Sequence, residues 1–199
     1  MYAIVKRIFD FIASLLALLI FSPIMLLISL WIILDSRGGV FYKQIRVGKN
    51  QKEFSLLKFR SMRPNSDKVQ ITIGNDARVT PVGKFIRKFK IDEMPQLLNI
   101  LKGEMSVVGP RPEVPKYVKM YSNQQLHVLD VLPGLTDYAS IEYLDEQSVL
   151  GAAKDPEKTY IEDVMPAKLK LNLAYINDRS FWLDIKLIFR TIGKIFFKK

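Results

Sequence analysis

Asp92 and Glu93 are adjacent carboxylates at the start of an expected helix, about Glu93 to Lys102. An acidic pair in that position usually does no more than compensate the helix dipole. Its surroundings suggest more, because the preceding stretch carries Lys84, Arg87, Lys88 and Lys90. A carboxylate among several cations stays ionised, and an ionised carboxylate serves as a nucleophile or a magnesium ligand. Other cations are placed to hold phosphates. Lys58 and Arg60 lie two apart on an expected strand and so share one face. Arg111 stands between Pro110 and Pro112, which restrict its backbone, and its planar fork matches a phosphate. For each cation alone, a solvated surface or a lipid headgroup is the plainer explanation. Together they equip a site for phosphoryl transfer, where positioning and charge neutralisation do most of the work.

Composition removes several other chemistries. The 199 residues include no cysteine and one histidine, His127. Disulfide frameworks, thiolate metal sites, cysteine nucleophiles and multi-histidine metal sites are excluded, and a histidine-based triad is disfavoured. Neither a GxxxxGK[ST] loop nor GxGxxG is present, which argues against a P-loop ATPase or a Rossmann cofactor site. Thirty Lys and Arg against twenty Asp and Glu give a formal charge of +10. Nucleic acid would account for that charge, but no recognised nucleic-acid motif accompanies it.

The elements that must position these residues begin with an apolar run, Phe11 to Leu34, that contains no charged residue. It is long enough to span a bilayer as a helix and too long for a signal peptide. Ser22-Pro23 falls in its middle, where proline removes a backbone donor and favours a sharp kink, and the Ser22 hydroxyl is placed to serve a carbonyl freed there. Each half, about 18 Å long at ~1.5 Å per residue, is too short to cross alone. Lys6 and Arg7 precede the run, and Arg37, Lys43, Arg46 and Lys49 follow it. Basic flanks favour the cytoplasm, so a bent hairpin entering and leaving by one face satisfies both ends. A straight, tilted span is the competing form.

Beyond the run, Val40–Gln44 and Glu53–Phe59 read as a hairpin around Gly48-Lys49-Asn50, and 63–77 as a loop. Thr80-Pro81 is an N-cap followed by proline at the first helical position, opening a basic helix, Val82 to Phe89. Gly103 suits the C-cap of the helix after the acidic pair. Gly109-Pro110-Arg111-Pro112 is a rigid turn. Glu113 to Leu129 is expected as helix in two pieces, and Lys154 to Asn177 as mostly helical with starts at Pro156 and Pro166. A last amphipathic helix, Phe181 to Phe197, bears a basic stripe of Lys186, Arg190, Lys194 and Lys198. That stripe suits either an anionic membrane surface or a solvated face on a packed helix.

The ordered motifs are Ser22-Pro23, Lys58-Phe59-Arg60-Ser61-Met62, Ile91-Asp92-Glu93-Met94-Pro95-Gln96-Leu97, Leu101-Lys102-Gly103-Glu104-Met105-Ser106, Gly109-Pro110-Arg111-Pro112 and Pro133-Gly134-Leu135-Thr136. Across nearly the whole chain this series resembles the bacterial sugar transferase family of monotopic phosphoglycosyl transferases, and the length resembles its small, core-only members. The resemblance implies a mainly helical α+β fold. A re-entrant membrane helix broken at Ser22-Pro23 would occupy residues 1–36, and a catalytic domain with interfacial amphipathic helices 37–199. It implies transfer of a sugar 1-phosphate from a UDP-sugar to undecaprenyl phosphate at the cytoplasmic face of the bacterial inner membrane, releasing UMP. In that family Asp92 would be the nucleophile that forms a covalent phosphosugar intermediate. Glu93 would assist, both acids would meet Mg2+, and Lys58, Arg60, Arg87 and Arg111 would bind phosphate. The segment Leu132-Pro133-Gly134-Leu135-Thr136-Asp137-Tyr138-Ala139-Ser140 departs from the commoner Arg-Pro-Gly-Ile-Thr-Gly-Leu-Ala-Gln, which points to a different sugar pocket. An N-acetylated amino sugar is the preferred donor. The alternative class is a membrane-anchored, non-catalytic scaffold that binds anionic lipid or an acidic partner.

Overall fold

Apolar residues with few helix breakers make the first element, α1, a single 34-residue helix, Tyr2–Asp35, about 51 Å long at ~1.5 Å per residue. The computed structural model describes residues 2–63, 76–143 and 146–196. The helix is not divided at Ser22-Pro23: Pro23 lies inside it. The local reason is a substitute hydrogen bond. Ser22 Oγ donates to the Leu19 carbonyl at 2.9 Å, and that carbonyl, four residues before Pro23, is the one proline leaves without an amide partner. The helix is long and apolar enough to cross a membrane, and most of its apolar surface faces outward, including Leu19, Ile20, Leu26, Leu27 and Leu34.

Both ends of α1 are tied to the same body. Near the start, Arg7 donates to the Ile100 and Leu101 carbonyls at 2.7 and 3.0 Å, and Lys6 Nζ lies 2.8 Å from Asp184. Asp10, fully buried, accepts from Ser106 Oγ at 2.7 Å and the Val107 amide at 3.1 Å. Near the end, Ile28 and Ile32 pack with Phe59, Val82 and Ile86. Arg60 closes the helix by donating to the Ile32, Ser36 and Arg37 carbonyls. The Ile32 carbonyl also accepts from the Ser36 amide at 3.3 Å, and Ser36 and Arg37 lie just past the helix end, where carbonyls lack intrahelical partners.

The expected hairpin is present, with β1 (Phe41–Val47) antiparallel to β2 (Glu53–Phe59) and Phe41 opposite Phe59. β1 runs three residues past its expected end. Asn50 and Gln51 turn the chain with φ of 55° and 59°. Residues 64–75 of the expected loop lie outside the described residues. Helix α2 (Pro81–Lys88) begins as expected, with Thr80 Oγ1 accepting from the Gly83 amide at 3.0 Å. A Cβ on Gly83 would lie 2.0 Å from the Ser61 carbonyl, so glycine lets α2 sit against the end of β2.

The acidic pair does not open an α-helix. Ile91–Glu93 forms a 3-10 turn, and α3 (Gln96–Lys102) starts after Pro95 and ends at Gly103 with φ 84°. Short elements follow: β3 (Ser106–Val108), α4 (Pro115–Val118), α5 (Asn123–Leu126), β4 (Gly134–Thr136), α6 (Tyr138–Glu142), α7 (Glu146–Ala152) and α8 (Pro156–Thr159). β3 and β4 pair in parallel, Ser106 with Gly134 and Val108 with Thr136. A π-helical turn, Tyr160–Val164, leads into α9 (Met165–Asp178), and α10 (Phe181–Phe196) closes the chain.

On α10 the basic stripe stays exposed, with Lys186, Arg190 and Lys194 all at the surface, and two of its members reach α6. Arg190 pairs with Glu142 at 3.5 Å and Lys194 donates to the Ile141 carbonyl at 2.7 Å, while Lys198 lies outside the described residues. The outward face presents Trp182, Phe189 and Ile192. Phe85 and Phe89 of α2 are also exposed, with Phe85 beside Trp31 of α1. Large apolar surfaces of this extent mark a membrane or partner contact.

Candidate active site

The 3-10 turn and its neighbours gather most of the expected site residues. Lys90, in the left-handed region with φ 57°, turns the backbone out of α2 and into the acidic pair. Glu93 meets two cations. Lys58 Nζ lies 3.1 Å from its Oε1, and Arg111 grips it with both terminal nitrogens, Nη2 on Oε1 and Nη1 on Oε2 at 3.3 Å. Burial raises the Glu93 carboxyl, but Arg111 and Lys58 outweigh it and hold the group well below the ordinary carboxylate range.

Asp92 has the opposite environment. It is buried, and its Oδ1 has no hydrogen-bond partner among the described residues. Burial and then the Glu93 charge push its carboxyl up, against the pull of Lys58, Arg87 and Lys90. The cations expected to surround the pair therefore neutralise Glu93 directly and reach Asp92 only through the field. Lys58 itself is pushed down by burial, with Glu93 opposing. Arg87, on α2, donates to Ser61 Oγ at 3.1 Å; burial lowers it and the Asp92 charge counters.

Arg60 is not brought into this cluster. Its guanidinium is engaged at the C-terminus of α1, although the residue borders the cleft. Three residues that sequence reading did not select as site residues, Asn99, Asp137 and Arg46, hold the cluster together. Asn99 of α3 accepts from the Leu57 amide at 3.0 Å through Oδ1, and its Nδ2 donates to the Ser55 carbonyl at 2.8 Å and Glu104 at 2.6 Å. Its amide thus acts as a short substitute strand on the edge of β2 that carries Lys58. Asp137 accepts from the Arg111 amide at 3.2 Å, and Arg46 donates to the Pro112 carbonyl at 3.0 Å and Glu113 at 3.1 Å. An Asn or Asp in a motif gives no sign of such long-range partners; the N-cap position of Asp137 before Tyr138 was the available signal.

The Arg111 turn is also locked by close backbone approach. Gly109 donates to the Thr136 carbonyl at 3.0 Å and Gly134 to the Pro110 carbonyl at 2.9 Å. A Cβ on Gly134 would lie 2.1 Å from the Gly109 nitrogen, so only glycine fits. The site faces a cleft of about 1820 Å3 whose lining includes Ala17 and Phe21 of α1, Lys58, Asp92, Arg111 and Asn172.

The residues can be tested against a divalent cation. No group of three or more Asp, Glu, His or Cys side chains suited to a metal occurs among the described residues. Both Glu93 oxygens are engaged by cations, whereas Asp92 offers an unpartnered oxygen. Magnesium is commonly held by one or two carboxylates plus substrate phosphates, and this donor set fits that mode through Asp92 alone.

Comparison with known proteins gives a consistent result. The family model described as "Bacterial sugar transferase" matches residues 1–198. The UDP-N-acetylgalactosamine-undecaprenyl-phosphate N-acetylgalactosaminephosphotransferase of Aeromonas hydrophila is 40% identical over 98% of this chain, and the match covers 44% of that protein. The UDP-glucose:undecaprenyl-phosphate glucose-1-phosphate transferase of Klebsiella pneumoniae is also 40% identical over 98% of the chain, and the match covers 40% of that protein. The chain thus spans less than half the length of these two relatives. The uncharacterized sugar transferase EpsL of Bacillus subtilis is 35% identical, and there the match covers 96% of this chain and 87% of the relative.

Proposed function

The chain belongs to the bacterial sugar transferase family, and on that premise we propose that it moves a sugar 1-phosphate from a UDP-sugar to undecaprenyl phosphate, releasing UMP. The observation that carries the proposal is the division of labour in the acidic pair. Glu93 is neutralised by Lys58 and Arg111, while Asp92 lines the same cleft without a cation on its carboxylate and with its buried Oδ1 unpartnered among the described residues. Asp92 is the nucleophile. Its carboxylate oxygen attacks the phosphorus that bears the sugar, the bond from that phosphorus to the bridging oxygen breaks, and UMP leaves with the electron pair. The resulting acyl phosphate carries the sugar. An oxygen of undecaprenyl phosphate then attacks the same phosphorus and returns the Asp92 carboxylate.

The chain's other groups supply charge and position. Lys58, Arg87 and Lys90 favour the ionised form of Asp92 against its burial. Arg111 and Lys58, paired with Glu93 in the absence of substrate, are the phosphate donors, and Glu93 keeps their charged ends in place until phosphate competes for them. Asp92 would hold Mg2+ when the ion is bound, and the ion would supply neutralisation of the donor's phosphate charge. Arg60 serves the site by closing α1.

The cleft also suits two substrates of opposite solubility. Its lining joins Ala17 and Phe21 of the apolar helix α1 to the charged groups around the acidic pair, so one cleft offers surface to both a lipid phosphate and a soluble donor. We propose that α1 enters and leaves by the cytoplasmic face of the inner membrane. Support comes from its two ends: Arg7 and Lys6 dock the start on the body that Ile32 and Ser36 dock at the end. A straight span would require one of these attachments to break.

The test is UMP release by the purified protein in lipid nanodiscs with Mg2+, undecaprenyl phosphate and a panel of UDP-sugars. The panel includes UDP-N-acetylgalactosamine and UDP-glucose, since the relatives' names divide between them. Lipid-dependent turnover of one donor, lost in Asp92→Asn, is expected. Full activity in Asp92→Asn would refute the assignment of the nucleophile, and no release from any donor would refute the reaction.

A further inference from the structure

Two buried polar atoms in the cleft are not used by the phosphate-binding cluster. Asn172 of α9 is 4% exposed, and its Oδ1 has no hydrogen-bond partner among the described residues. Ser140 of α6 has a buried Oγ in the same condition. Both residues line the cleft, and α6 packs on α9. The cleft lining includes apolar Ala139, Met165 and Leu169 as well as Tyr143, Tyr160 and Lys168, yet no described side chain hydrogen-bonds either oxygen. Folded proteins pair nearly all of their buried polar groups, so two unpaired oxygens in one cleft wall mark a place where a ligand completes the pairing.

The chemistry of the missing partner follows from the two groups. Both are neutral, so neither attracts a phosphate as Lys58 and Arg111 do. An amide oxygen accepts only, and its counterpart must be an O–H or N–H. A polyprenyl chain carries neither. The sugar ring and the uracil of a nucleotide sugar carry both. The offset from the phosphate site is also fixed. The Asp137 carboxylate, itself fully buried, accepts from the Ser140 amide at 2.6 Å and from the Arg111 amide at 3.2 Å. One side chain therefore links the start of α6 to the turn that carries a phosphate-binding arginine.

We propose that Asn172 and Ser140 form the subsite that reads the non-phosphate part of the nucleotide-sugar donor, through hydrogen bonds to its neutral O–H and N–H groups. This rests on the transferase reading above. It makes the pair specificity-determining residues: a donor gripped by its diphosphate at Arg111 is accepted or refused by what its rings offer to these two oxygens.

The experiment measures donor and acceptor KM for the nanodisc-embedded chain and for Asn172→Leu and Ser140→Ala, using whichever UDP-sugar the wild type consumes. Loss of one neutral hydrogen bond should raise donor KM roughly five- to tenfold in each variant, with acceptor KM unmoved. Ser140→Ala removes a single oxygen and so preserves the test should Asn172→Leu fail to fold. Inhibition by UMP separates the two rings. An unchanged inhibition constant places the contact on the sugar, and a parallel rise places it on the nucleotide. Donor KM unmoved in both variants overturns this inference and leaves the reaction standing. A wild type that releases UMP from no donor overturns the reaction and this inference with it.

Discussion

Replacing Asn99 by leucine, which has a similar volume but no polar atoms, should separate the two halves of the site. Asn99 is fully buried, and three hydrogen bonds depend on its amide. Leucine would leave the Leu57 N–H and the Ser55 C=O unpaired on one edge of β2 and would strip Glu104 of a partner. Each buried unpaired backbone group costs about 1–3 kcal/mol. Taking the lower half of that range for both, because water reaches a strand edge more easily than a core, gives a loss of about 2–4 kcal/mol. For a chain of this size that corresponds to a fall in Tm of roughly 4–16 °C. Asn99→Asp should be no better, since it retains the acceptor for Leu57 but sets a second carboxylate against Glu104. Thermal unfolding in nanodiscs, followed by tryptophan fluorescence, reads the effect. UMP release by the folded fraction at low temperature should fall as well, because β2 carries Lys58 and α3 follows Asp92 and Glu93. A Tm within 1 °C of wild type would show that the amide does not bind β2 to α3 as described.

Three further outcomes are expected. Gly134→Ala puts a Cβ where the Gly109 nitrogen stands, so the variant should fail to accumulate as folded protein on size-exclusion chromatography; a folded, active variant would contradict the close approach. Arg111→Lys keeps the charge and loses the two-pronged grip on Glu93, so turnover should drop about 10- to 100-fold, and wild-type turnover would show that charge alone suffices. Pro23→Leu restores an amide to the Leu19 carbonyl and stiffens α1 against the bend that a re-entrant path requires. Protease protection should find tags at Met1 and Lys199 on the same, cytoplasmic side in the wild type and partly on opposite faces in the variant, and a wild-type tag on Met1 facing the periplasm would refute the hairpin topology.

Local signals in the sequence translated well into structure. Thr80-Pro81 and Gly103 cap α2 and α3 because caps depend on a handful of neighbouring atoms. The β1–β2 hairpin followed from turn residues between two short strands. What failed to show was long-range. The β3–β4 pair joins segments more than twenty residues apart, and nothing in three-residue strands announces such a partner. The acidic pair was expected at a helix N-terminus, but the left-handed Lys90 and Pro95 delay α3 and leave the acids in a 3-10 turn.

The candidate site shows the same division. Lys58, Arg87 and Arg111 converge on the acidic pair as their types suggested. Arg60 shares a strand face with Lys58 in principle, yet Phe59 and Arg60 end the strand, and the open carbonyls of α1 capture the guanidinium. Lys58, Arg87 and Lys90 pull the Asp92 carboxyl toward its ionised form, against its burial and the neighbouring Glu93 charge, which push it up. The basic stripe on α10 was ambiguous because spacing cannot say which face a helix buries; here Arg190 and Lys194 remain exposed while bonding to α6, and Trp182 and Phe189 are exposed beside them.

The central claim is that Asp92 becomes covalently bonded to the sugar phosphate before the lipid arrives. Intact-protein mass spectrometry after brief incubation with donor and Mg2+, without undecaprenyl phosphate, tests it directly. The account expects one UMP released per chain and a mass gain of one sugar phosphate, mapped to the peptide that contains Asp92, absent in Asp92→Asn and discharged when lipid is added. UMP release that requires the lipid from the outset, with no adduct on the chain, would contradict it.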